Sequence, residues 1–134
     1  MITQTIALNA WRENKVFVAA VQGEKESRAL LINLIDKQGG ADTLSASDIY
    51  LTPVSLINAS ARLLIEKPDG SLCSCEGTVT NAADGQVIFL LPERALDIPG
   101  KARCTVIIAE SALQQNLRFA GLTLAIDECN AGSI

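Results

Sequence analysis

The sequence predicts an all-β sandwich, on three observations: runs of strand length, turn residues at short intervals, and an apolar supply dominated by Val, Ile and Leu. The turn signals are Gln22-Gly23, Gln38-Gly39-Gly40, Lys67-Pro68-Asp69-Gly70, Ala83-Asp84-Gly85, Ile98-Pro99-Gly100 and Ala131-Gly132. Glycine supplies positive φ at such places and proline presets φ for the second turn position. At 134 residues, with 49% hydrophobic and 19% charged residues, the chain is expected to be a single domain (1–134) that buries a core without staples.

Residues 2–8 and 15–22 read as the first strands. In 24–37, Leu30, Leu31, Leu34 and Ile35 are spaced for a helix face, and pattern alone favours a helix there. Residues 41–58 mix Ser, Thr, Asp and Pro with Ile49, Tyr50, Leu51, Val54 and Leu56, and read as a long loop or insertion carrying a short element. The clearest strand is 59–66: Ala59, Ala61, Leu63 and Ile65 take one face, Ser60, Arg62 and Glu66 the other, and only Leu64 breaks the alternation. Lys67-Pro68-Asp69-Gly70 is a tight hairpin turn, so 72–80 should return as one antiparallel strand with Cys73, Cys75 and Val79 inward. The apolar run 86–91 suits a strand covered on both faces. Pro92-Glu93-Arg94 starts a short helical turn near 92–97, which Pro99-Gly100 closes. Strands 102–109 and 117–126 follow, the latter with Ala120, Leu122, Leu124 and Ile126 on one face, and 130–134 is polar enough to be loose.

Composition removes whole classes of function. The chain has no histidine, which excludes the commonest general base and every triad built on it. It has neither a P-loop nor a dinucleotide-binding glycine fingerprint. A net charge of −4, no run of Lys and Arg, and few aromatics (Trp11, Phe17, Tyr50, Phe89 and Phe119) argue against nucleic acid as a partner. No stretch approaches the roughly 18 apolar residues of a membrane-spanning helix, and Met1-Ile2-Thr3-Gln4 lacks the basic region followed by an apolar one that a leader is expected to have. Synthesis in a cytoplasm with reduced thiols is the expectation.

Cys73, Cys75, Cys104 and Cys129 read as small buried hydrophobes. Zinc knuckles space their ligands by two to four residues, whereas Cys73 and Cys75 are separated by one residue inside a strand. Asp36, Asp42, Asp48, Asp69, Asp84, Asp97, Asp127 and Glu128 match no calcium loop, and most sit beside turn residues, where aspartate caps its own backbone. No catalytic, metal-binding or cofactor-binding residue is assigned, and the chain is not expected to be an enzyme. Trp11, set among polar residues, suits an exposed interface anchor or a cap on one end of the core equally.

Phe17, Gln22-Gly23, Ser27-Arg28, residues 56–59, Lys67-Pro68-Asp69-Gly70, residues 85–91, Pro99-Gly100 and residues 122–126 form an ordered set across most of the chain. In that order and spacing the chain resembles the N-terminal domain of phage baseplate upper proteins. The resemblance implies an immunoglobulin-like antiparallel β-sandwich, and a strand over residues 28–36 in place of the helix. It also implies a structural subunit of a phage or prophage tail baseplate, located in the virion tail, docking to other tail proteins and to further copies of itself while supporting host-attachment components. Residues 41–54 are longer than the family pattern provides. The alternative function is a sandwich module that recognises a cell-surface glycan, with Trp11 and Tyr50 as its candidate stacking residues.

Overall fold

The computed structural model describes residues 2–10, 14–24, 27–38, 50–110 and 115–128. Its strands are β1 (Ile2–Asn9), β2 (Val16–Val21), β3 (Arg28–Gln38), β4 (Tyr50–Pro53), β5 (Ala59–Glu66), β6 (Leu72–Glu76), β7 (Thr78–Asn81), β8 (Gln86–Leu90), β9 (Gly100–Glu110) and β10 (Gln115–Asp127). A 3-10 turn at Glu93–Ala95 fulfils the expected helical turn. One sheet has the order β1-β3-β8-β7, with β4 also on β3; the other has the order β2-β10-β9-β5-β6. Leu34 donates its N–H to the Gly85 carbonyl and accepts from the Val54 N–H, so β4 and β8 lie end to end along one side of β3.

The two sheets bury a single core in which Phe89 and Phe119 are the largest side chains, surrounded by Leu8, Leu30, Ile32, Leu34, Leu63 and Ile65. Each fully buried side chain of this size stabilises the fold by roughly 1.5–3 kcal/mol. The segment with helical spacing is a strand. Leu30, Ile32 and Leu34 alternate into the core, while Leu31, Asn33 and Ile35 are half-covered on the other face of a central strand, and that second layer of apolar residues mimics a helix stripe.

Four expectations need correction. The sandwich is not wholly antiparallel: β1 runs parallel to β3, and β2 parallel to β10. Residues 72–80 are two strands in different sheets, because Gly77 carries the chain across. Its N–H donates to Ala61 in one sheet, and a Cβ there would come within 2.6 Å of Phe89 and 2.7 Å of Val87 in the core of the other. Strand β8 is fully covered on one face only: Val87 and Phe89 are buried, whereas on the other face Ile88 is half-covered and Leu90 exposed. In β10, Leu122, Leu124 and Ile126 point inward as expected, but Ala120 is exposed and Phe119 is buried in its place. A bulge between Phe119 and Leu122 inserts one residue against β9 and reverses the alternation.

Each lateral side of the sandwich is made by one piece of chain that leaves one sheet and enters the other. The segment running from β1 to β2 forms one side, and β6 with β7 forms the opposite one. Of the proposed long loop, 50–53 is β4 and 54–58 leads into β5, with Leu56 buried; 41–49 and 130–134 lie outside the described residues.

Candidate docking edges

Several of the dispersed turn motifs meet at one end of the sandwich. Gly23 donates its N–H to the Leu96 carbonyl, and the Gln22 side-chain amide donates to the Asp97 carbonyl at 3.0 Å. The Lys67 ammonium reaches the Asp97 carboxylate at 2.6 Å, and Pro68 packs beneath Gly100, whose φ is +126°. The bond to Asp97 raises the Lys67 pKa, so its contribution to stability is present below the ordinary lysine value and is lost as pH rises through the raised one. This corrects the reading of Asp97 as a turn cap. Asp69 does have that role, accepting from the Ser71 N–H and hydroxyl, whereas at Asp84 the cap is Asn81, whose Oδ1 accepts the Asp84 N–H while its Nδ2 donates to the Asp84 carboxylate. The cluster lashes three turns together.

Cys75 and Cys104 are buried and Cys73 is half-buried against the core, all three with free thiols. Burial pushes Cys75 up to about 11 and Cys104 up to about 12, and also raises Cys73. Such thiols stay neutral and are poor nucleophiles and poor metal ligands. Among the described residues no three His, Cys, Asp or Glu side chains group as a metal site. Cys129, Asp42, Asp48 and Trp11 lie outside the described residues, and Tyr50 is described in its backbone alone. No helix of the described residues is long and apolar enough to cross a membrane.

The edges of the sheets remain, where main-chain N–H and C=O groups face outward and can accept a further strand. Ile2 donates to the Ser27 carbonyl and Ala10 to the Ile35 carbonyl, so the even-numbered residues of β1 face β3. Thr3, Thr5, Ala7 and Asn9 therefore turn their backbone groups outward. Asn9 is closed off by Asn14: the Asn14 Oδ1 accepts the Asn9 N–H at 2.7 Å, and its Nδ2 donates to the Asn9 carbonyl at 3.2 Å, as a neighbouring strand would. The same Nδ2 donates to the Ala120 carbonyl at 3.0 Å, joining the crossing segment to the β10 bulge. Asn14 is the one buried polar residue among the described residues, and its main-chain carbonyl sits where Gly121, at φ +93°, has no Cβ.

Strand β2 repeats the arrangement. Gln22 donates to the Asp127 carbonyl, which leaves Phe17, Ala19 and Val21 facing outward. The Glu24 carboxylate accepts the Val21 N–H at 2.7 Å and is itself held by the Arg28 guanidinium at 3.0 and 3.1 Å. Arg28 keeps the Glu24 carboxyl below the ordinary glutamate range. Phe17 is 62% exposed, with the Lys101 ammonium 5.9 Å from its ring centre.

On the opposite side, β6 has five residues, and the outward carbonyl of Ser74 is taken by the Arg94 guanidinium at 2.6 Å. Strand β7 has four residues and a register break between Val79 and Asn81. Strands β1 and β2 contain no charged residue, no proline and no bulge. Sequence reasoning named none of the closing side chains. Asn14 and Arg94 grip main-chain groups 106 and 20 residues away, and no local pattern encodes that.

No protein-family model matches the chain, and no curated protein matches it. Among solved structures it is similar to the N-terminal domain of phage TP901-1 ORF48, with a TM-score of 0.68 at 12% sequence identity, over 95% of this chain and 99% of that one. At that identity the similarity is one of fold.

Proposed function

We propose that this chain is a structural subunit of a phage tail baseplate, located in the virion tail, that docks to other tail proteins through the edges of its sandwich and does no chemistry. The observation that carries the reading is the pair of open, uncharged edges at β1 and β2, on a fold similar to that of a phage protein domain. The ordered turn set read from the sequence supports it. So does the arrangement of two stacked five-stranded sheets, the sandwich that the resemblance implies.

The glycan-binding alternative has no specific observation in its favour. The groove of about 280 Å³ on the outer face of the β2-containing sheet is lined by Leu64, Leu72, Thr105 and Thr123 beside the Glu66–Arg103 ion pair, with no aromatic ring. The test is composition: tails purified from phage particles, washed in high salt and analysed by quantitative mass spectrometry, should contain the chain in fixed proportion to the other tail proteins. A chain that stays in the cell lysate while intact tails assemble without it would overturn the reading.

A further inference from the structure

We propose that β1 pairs antiparallel with β1 of a second copy of this chain, on a two-fold axis at Thr5, and joins the two β1-containing sheets into one. The inference deepens the docking reading, on which it rests for bringing copies of the chain together. Main-chain groups fix the chemistry of the occupant: outward N–H and C=O groups at alternate residues accept an extended strand and little else.

Self-pairing follows from where β1 is open and where it is closed. Thr3, Thr5 and Ala7 meet no strand among the described residues, whereas Asn14 occupies Asn9. With Thr5 opposite Thr5 of the second copy, Thr3 faces Ala7 and Ala7 faces Thr3, and each of these pairs exchanges two main-chain hydrogen bonds. A slip of two residues toward the Asn9 end would set Asn9 against Thr3 and displace Asn14. A slip the other way leaves Ala7 of each copy opposite no open group among the described residues. The closed residue therefore selects the symmetric register.

Charge agrees with a second copy, because a two-fold axis sets β1 against its own sequence and β1 carries no charge of either sign. Ile2, 56% exposed at the end of the strand, would be covered opposite Leu8. Strand β2 is the weaker candidate: Glu24 closes Val21, so Phe17 and Ala19 are its only open outward residues, and Lys101 stands beside Phe17.

The test is Thr5→Lys and Thr5→Glu, made separately and mixed, with mass measured by light scattering across a concentration series. Thr5 is exposed and its N–H faces away from β3, so neither change touches the fold, and the circular dichroism melt should show this. The parent should approach twice the 14.2 kDa chain mass, each variant alone should fall to that mass, and the mixture should return to the doubled value. Amide exchange gives a local readout: Thr3, Thr5 and Ala7 should be protected in the parent and lose protection in Thr5→Lys, while Gln4, Ile6 and Leu8 stay protected in both. A parent that remains at the single-chain mass, or a Thr5→Lys variant that remains doubled, overturns the proposal. Neither result touches the tail assignment, which particle composition decides separately.

Discussion

The two lateral sides of the sandwich are built alike and finished differently. Each is one length of chain that crosses between sheets, at Asn14 on one side and Gly77 on the other. The β6–β7 side is short, bulged and closed by Arg94, the usual means by which a sheet avoids pairing with strangers. The β1–β2 side is longer, uncharged and closed by Asn14 and Glu24 at one end of each strand only. The difference is why the proposed association is assigned to the N-terminal side, where among the described residues less of the edge is closed.

Breaking the N-terminal crossing should have the largest effect. Gly121→Ala places a Cβ on the Asn14 carbonyl at a φ that L-residues avoid, and should cost at least about 3 kcal/mol in urea denaturation. Asn14→Ala leaves the Ala120 carbonyl and the Asn9 groups without their partner and should cost about 2–3 kcal/mol by the same measurement. A loss under ~0.5 kcal/mol would mean that water replaces the amide and that Asn14 does not fix the crossing.

Glu24→Gln keeps an oxygen for the Val21 N–H but gives up the charge paired with Arg28, and should cost ~1 kcal/mol at neutral pH. Because the folded pKa of Glu24 is depressed, its contribution is present above the ordinary glutamate value and is lost as pH falls through the lowered one. The parent and variant melting temperatures should therefore converge in acid. A gap that persists at low pH would assign the cost to packing.

Arg94→Met should have the smallest effect on stability, within about 0.5 kcal/mol, yet it uncovers the Ser74 carbonyl. Heated samples should then aggregate faster than the parent. An unchanged rate would mean that strand shortness, not Arg94, protects the far edge.

The sequence resolved strands better than it resolved their breaks. Ala59–Glu66 is legible to the residue because its alternation is broken only at Leu64 and a proline-glycine turn ends it. Residues 72–80 read as one strand because Gly77 keeps the alternation in phase while the chain changes sheets. Gly121 does the opposite: it shifts the phase inside an apolar run, so Ala120 and Phe119 exchange faces without a polar residue to mark the switch. Strand β3 was legible only through the family resemblance, since its half-covered outer face carries enough leucine and isoleucine to imitate a helix. The open edges were present in the composition of β1 and β2 as an absence of charge. Nothing local separates an uncharged edge strand from an uncharged central one.

The parallel pairing of β2 with β10 also bears on the order in which the molecule assembles. Val16 sits beside Leu122, so a strand near the start of the chain has its only described partner near the end. Closing that separation costs entropy that no earlier contact in the same sheet offsets, and contacts of this range slow folding. On the ribosome β2 would emerge early and wait, apolar and unpaired, while β5, β6 and β9 assemble without it. That interval is where this chain is most open to capture by a chaperone or by a neighbouring copy.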